Sequence, residues 1–246
     1  MASDFKVTED DTAYAVFDYQ NSRGRAIGSP MGLVAEGLFQ SQEEIDASPK
    51  QEFGTYTVGD IKYKDLNDDG VINDYDRTYI GYAREPEIMY GFGGTIAYKG
   101  FDLTVNFTGA AHSSILIDEE GMYPFKLDYP GYNVLHEYFD NRFIPGADNS
   151  RAKYPVVHQG TSSNNYRIST LYLHDASYLK LKTAEFGYNF PKRIAAKMGL
   201  ESLRLYVNGN NLFSIDKLKI LDPESNHGVG GYPTQRALTL GIQVGF

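Results

Sequence analysis

The last twelve residues, Gln235 to Phe246, alternate between large apolar and small or polar side chains and stop on an aromatic. Leu238, Leu240, Ile242, Val244 and Phe246 fall on one face, and Ala237, Thr239, Gly241, Gln243 and Gly245 on the other. Successive side chains of a strand point to opposite faces, so this segment reads as a strand with one apolar side. That side needs an apolar neighbour. In a soluble fold the neighbour is a core; in a transmembrane barrel it is lipid.

The same pattern recurs upstream. Tyr90, Phe92, Ile96 and Tyr98 alternate with Gly91, Gly93, Thr95 and Ala97, and Lys99-Gly100 suits a two-residue hairpin turn. The return strand sets Phe101, Leu103, Val105 and Phe107 against Asp102, Thr104 and Asn106. Residues flanking such a turn pair directly, which predicts Tyr98 opposite Phe101, Ile96 opposite Leu103 and Phe92 opposite Phe107. Gly91 to Gly94 therefore belong to a strand, and they lack the Lys-Ser/Thr ending of a phosphate loop. A further strand starts at Tyr178 and runs to Phe190. Its apolar phase shifts from Leu179/Leu181 to Ala184/Phe186/Tyr188, which predicts a bulge near Thr183. Pro191 to Gly199 reads as a short basic helical turn with Pro at an N1-like position. Leu203, Leu205 and Val207 open another strand that ends in Asn208 to Phe213.

Connections between these strands alternate in length. The turns at 99–100 and 191–200 are short, whereas 112–170 and 214–234 are long and rich in Gly, Pro, Asn, Ser and Asp. Transmembrane barrels show this asymmetry, with short periplasmic turns and long extracellular loops. Strand parity is self-consistent: a periplasmic C-terminus puts both short turns inside and both long loops outside. About five or six spanning strands are discernible, fewer than the roughly eight of the smallest common barrels. The chain reads as the C-terminal part of something larger.

Composition removes other classes. With 41% apolar residues and no run of eighteen, a transmembrane helix is excluded, but a barrel of alternating strands is not. Twenty Tyr and fourteen Phe suit β-structure. The net charge of −9 argues against nucleic acid and suits acidic loops that hold cations. Zero Cys excludes a disulfide scaffold and thiol chemistry. The start, Met1 to Lys6, lacks the apolar core of a signal peptide, so an exported chain is expected to begin further upstream. Thr12 to Tyr19 has strand composition without clean alternation. Ser41 to Asp46 reads as a short helix capped by Ser41, with Glu44 three residues on.

One stretch carries a chemical signature. Asp65, Asn67 and Asp69 stand at positions 1, 3 and 5 of a calcium-type loop, Gly70 at 6, Ile72 at 8 and Asp76 at 12. Calcium takes six to eight hard oxygens, and alternate residues of a tight loop turn inward. Val71 would donate its carbonyl, Asn73 would act directly or through water, and Asp76 would close the set. Asp at position 12 is nearer to dockerin-type loops than to helix–loop–helix sensors. A structural, loop-ordering calcium is expected.

Nothing nominates an enzyme. His112, His136, His158, His174 and His227 are scattered without metal-ligand spacing, which favours surface or loop roles. Asp118, Glu119 and Glu120 read as a solvated charge run. Tyr123-Pro124-Phe125, Tyr129 to Tyr132 and Tyr166 are expected to pack their own loop rather than a sugar.

Four stretches make the chain resemble a family. They are Glu36 to Ile45 (EGLFQSQEEI), Gly59 to Ile72 (GDIKYKDLNDDGVI), Leu205 to Phe213 (LYVNGNNLF), and the ending with Asp222-Pro223-Glu224, Tyr232-Pro233 and the strand to Phe246. Together they resemble the SusC/RagA-type TonB-linked outer-membrane transporters of Bacteroidetes. The resemblance implies an all-β fold: the last antiparallel strands of a 22-stranded transmembrane barrel, with long extracellular loops. It implies an extracellular region at 1–88 containing the calcium-type loop, and barrel strands at 89–246 interrupted by loops 112–170 and 214–234. It also implies glycan or peptide uptake at the cell outer membrane with a SusD-like lipoprotein. The remaining partners it implies are the rest of the barrel and plug, lipid, the TonB complex through an absent N-terminal part, and the barrel assembly machinery through Phe246. The alternative is a soluble, calcium-stabilised β-sandwich that buries the same apolar faces between two sheets.

Overall fold

The alternating segments hydrogen-bond into one antiparallel sheet. The computed structural model describes residues 17–117, 122–125, 134–218, 220–224 and 234–246. In chain order come β1 (Met31–Gly32), β2 (Ala35–Leu38), α1 (Gln42–Ala47), β3 (Lys50–Gln51), β4 (Ile61–Tyr63), β5 (Val71–Ile72) and β6 (Thr78–Tyr79). The long strands β7 (Ile88–Tyr98) and β8 (Phe101–Ala111) follow, then β9 (Ser114–Leu116), α2 (His136–Asp140) and β10 (Leu173–Asp175). The chain closes with β11 (Tyr178–Asn189), α3 (Lys192–Lys197), β12 (Ser202–Asp216) and β13 (Ala237–Gly245). Contacts divide it into two compact units, one within 17–85 and 113–175, the other within 86–112 and 176–246. The readings of Thr12 to Val16, Asp118 to Glu120, Tyr129 to Tyr132, His227 and Tyr232-Pro233 fall outside the described residues. None of the described helices is long and apolar enough to cross a membrane.

The second unit is the sheet, in the order β13-β12-β11-β8-β7. Lys99 (φ 49°) and Gly100 (φ 88°) make a turn with two left-handed residues, whose twist matches the flanking strands. Tyr98 then pairs with Phe101, Ile96 with Leu103 and Phe92 with Phe107, as the sequence predicts. The register carries apolar rows across all five strands. One row is Ile96–Leu103–Phe186–Val207–Leu240, and the next is Tyr98–Phe101–Tyr188–Leu205–Ile242. A bulge between Leu181 and Thr183 inserts Lys182 and keeps both Leu181 and Ala184 on the apolar face.

The opposite face is polar. Arg204 donates to both Asp102 and Glu185, Asn106 donates to Thr183 at 2.9 Å, and Thr95 and Thr104 share a hydrogen bond at 2.8 Å. Tyr206 lies across Gly241, where a Cβ would stand 2.2 Å from the ring carbon Cζ. The ring thus covers the strand backbone at a position that tolerates no side chain.

Three boundaries differ from the sequence reading. β12 continues through Asn208 to Phe213 and ends at Asp216, because its polar residues still pair with β11. β13 starts at Ala237 rather than Gln235, where pairing with Asn210 begins. Pro191 is the N-cap of α3 rather than its first helical residue, with ψ 140°.

The first unit is built from short pairs: β1 with β6, β2 with β4, β9 with β10, and β3 parallel to β5. Its core is aromatic. Phe39, Tyr63, Tyr138 and Tyr172 are buried, and Tyr123 stacks on Tyr166 at 4.3 Å between ring centres. The rings of Tyr123 and Tyr166 therefore pack the loop, as predicted, while Phe125 is exposed. Ser41 caps α1 by accepting from Glu44 N at 3.2 Å, and the Glu44 carboxylate reaches back to Gln40 N at 2.8 Å.

Candidate functional site

Two features are candidates for function: the apolar face of the sheet and the acidic loop at 65–76. The face is open. Ile96 is 75% exposed, Leu240 76% and Phe246 85%, and Phe92, Phe186 and Ile242 are also exposed. A sandwich would bury these side chains at the centre of its core. Contiguous apolar surface on this scale marks a contact with protein or membrane.

The acidic loop is ordered by its own side chains. Asp65 Oδ2 accepts from Gly70 N at 2.8 Å, Asn67 Oδ1 from Asp69 N at 3.2 Å, and Asp69 Oδ1 from Val71 N at 2.8 Å. Asn73 Oδ1 accepts from Tyr75 N at 2.8 Å. Asp76 is fully buried and accepts from Leu66 N and Asn73 N, both at 2.8 Å, tying the start of the loop to its end. Left-handed backbone at Asp68 and Gly70 supplies the bend.

The donor set suits a hard cation. Asp65 Oδ1 is buried with no hydrogen-bond partner. Gly70 and Ile72 turn their carbonyls toward Lys50 N and Glu52 N of the neighbouring strand, so Val71, between them, turns its own to the other side. The negative charge is concentrated: burial, followed by Asp76, Asp65 and Asp69, raises the Tyr19 phenol above its ordinary value. That phenol donates to Tyr75 O at 2.7 Å. Among the described residues no three acidic or histidine side chains converge unaided, so coordination would also draw on amide and carbonyl oxygens.

A third constellation is not legible in residue spacing. His158 Nε2 lies 2.6 Å from Oδ1 of Asp60, 98 residues away. Asp60 is fully buried and also accepts from Asn165 Nδ2 at 2.6 Å and Thr57 N at 2.8 Å. Of the other histidines, His112 meets Glu87 at 3.0 Å, His136 begins α2, and His174 is partly buried, which lowers its pKa.

No family model matches the chain. It is 29% identical to TonB-dependent receptor P3 of Formosa agariphila over 239 residues, which is 91% of this chain and 22% of that protein. It is 25% identical to TonB-dependent receptor SusC of Bacteroides thetaiotaomicron, over 88% of this chain and 20% of that protein. Its homologues are TonB-dependent receptors. The resemblance to SusC/RagA-type proteins thus holds over most of the chain, which spans 20% to 27% of the length of the relatives it matches. The structure of the RagAB peptide transporter superposes with a TM-score of 0.64 and 19% identity, over 90% of this chain and 23% of that one. That likeness shows the fold: a run of antiparallel β-barrel strands, here an open sheet with β7 and β13 as its edges. The localisation is the cell outer membrane.

Proposed function

We propose that this chain is the C-terminal barrel portion of a TonB-dependent outer-membrane importer of nutrients, glycan or peptide, acting with a SusD-like surface lipoprotein. The observation that carries the reading is the exposed apolar face running in register across all five strands. Lipid is the neighbour that suits it, since transmembrane barrels place apolar side chains outward and polar ones inward. The unpaired edges of β7 and β13 suit the remaining barrel strands, because an open edge in a membrane leaves backbone groups unsatisfied. The plug and the TonB complex would be reached through segments beyond this chain. The last strand, ending at Phe246, would be read by the barrel assembly machinery. The names of the relatives are those of receptors and importers rather than enzymes.

Within this reading, Asp65, Asn67, Asp69, Val71, Asn73 and Asp76 hold a structural calcium that stiffens an extracellular loop. The chain's lack of cysteine makes a direct test simple. In cells expressing the intact protein, a membrane-impermeant maleimide should label Asp148→Cys. It should leave Lys99→Cys unlabelled until the periplasm is opened. Equal labelling of both, or recovery of the protein from the soluble fraction, would refute the assignment. Loss of growth on one oligosaccharide or peptide source after gene deletion would identify the cargo class.

A further inference from the structure

The short turns of the sheet gather positive charge at one end. Asn189 N donates to Gly100 O at 2.7 Å, so α3, which starts three residues later at Lys192, lies at the same end as the Lys99–Gly100 turn. Lys99, Lys192, Arg193 and Lys197 are all exposed there, and among the described residues none of them forms an ion pair. The acids nearby are Glu201 and the pair Asp102 and Glu185, which Arg204 holds on the polar face. From Gly187 to Leu200 the chain carries three cations and no acid, although its net charge is −9. Unpaired cations concentrated in an acidic chain call for an anionic neighbour.

The helix sets an apolar strip beside a basic one. Ile194 and Met198 stand four residues apart and share one side, and Arg193 and Lys197 share the side next to it. Ala195 is the buried residue of α3, whereas Ile194 is 45% exposed and Met198 61%. The apolar face of the sheet ends close by in contiguous rings. Tyr188 meets Phe101 at 4.5 Å and Phe190 at 4.9 Å between ring centres, and Lys99 Nζ lies 5.1 Å from the centre of the Tyr98 ring. In a transmembrane barrel, rings that close an apolar band mark the level of the lipid headgroups. A strand rises about 3.3 Å per residue, so a residue just past those rings stands at the depth of the phosphates. Lys99 is one residue past Tyr98, and Lys192 two past Phe190. Their long stems lie along apolar neighbours while the charged heads reach the phosphates.

We propose that α3 and Lys99 form a binding surface for anionic phospholipid at the short-turn rim of the sheet. Lys99, Lys192, Arg193 and Lys197 take the phosphates, and the strip of Ile194 and Met198 enters the acyl boundary. This surface rests on the reading of the sheet as part of a membrane-spanning barrel. The test places the intact protein in vesicles, with a fluorophore on Ala196→Cys in a background freed of other cysteines. Brominated phosphatidylglycerol and brominated phosphatidylcholine serve in turn as quenchers. Phosphatidylglycerol should be preferred at this label about fivefold, the scale of one cation beside an anionic surface. The preference should fall to near parity when Lys192→Gln, Arg193→Gln and Lys197→Gln are combined, exposed changes whose fold a melting curve will check. It should also vanish in 1 M salt, where the screening length is about 3 Å. A preference that survives the triple substitution would overturn the assignment. So would relief of quenching by glycerol phosphate, which would make this a site for a soluble anion. The two readings fail separately. Equal quenching by both lipids removes the phospholipid surface and leaves the barrel. No quenching by either lipid, in a protein that stays folded without detergent, removes the barrel as well.

Discussion

Lys180 Nζ lies 2.8 and 2.9 Å from the two carboxylate oxygens of Asp222, 42 residues further along the chain. It also meets Glu224 at 2.8 Å, and Glu224 in turn meets Lys182 at 2.9 Å. Lys180 is 3% exposed. Two ammonium groups from β11 thus hold the Asp222-Pro223-Glu224 stretch of the loop after β12. Lys180 and Lys182, two residues apart on β11, both reach the Glu224 carboxylate.

Removing Lys180 leaves two carboxylates beside each other without their main counter-charge. Lys180→Met should destabilise the intact protein by about 3 kcal/mol, the scale of breaking a buried pair by deleting one partner. Thermal unfolding will measure it, and double substitution with Asp222→Leu should cost less than the single change.

The same cluster fixes a pH dependence. Burial raises Asp222 and Glu224, but Lys180 together with the Glu224 N–H and Thr234 for Asp222, and Lys180 with Lys182 for Glu224, outweigh burial and hold both below the ordinary carboxylate range. A depressed carboxylate contributes stability that is fully present above the unfolded value, about 4, and is lost as pH falls through the folded value. The melting temperature should therefore receive the full contribution of this cluster from pH 7 to 5 and lose it below about pH 4. In Lys180→Met that acid-side loss should shrink, because protonation there relieves repulsion.

Calcium at 100 times its dissociation constant should stabilise the loop by about 2.7 kcal/mol. Asp69→Asn should abolish the calcium-dependent rise in melting temperature with little change in its absence. Asp76→Ala should destabilise the protein even in a chelator, since Asp76 also holds Leu66 N and Asn73 N. A melting curve indifferent to calcium would remove the metal from the proposal.

The apolar face has its own prediction. Val207 lies mid-row between Phe186 and Leu240. Val207→Arg should cost about 2–4 kcal/mol if that row lies near the bilayer midplane. Folding into vesicles followed by denaturant titration measures the cost, and a change under about 0.5 kcal/mol would place the face in water.

Much of the sheet was legible because a strand's side-chain period is two. The hairpin register from Phe92 to Phe107, the bulge near Thr183 and the polarity of both faces follow from alternation alone. Strand ends were less legible, since Asn208 to Phe213 looks like a turn until its partner strand is in place. The Asp60–His158 pair was invisible in spacing: 98 residues separate the two, and neither lies in a periodic segment.

The sequence by itself determined that Leu240 and its neighbours share one face and that Asp65 to Asp76 form an oxygen-rich loop, because both depend on contacts between near residues. Only the tertiary structure decided that the apolar face is exposed, and that Lys180 meets Asp222 and Asp60 meets His158. Periodicity records which side a residue takes but not what lies against that side, and the partners of a buried charge are chosen by the folded chain.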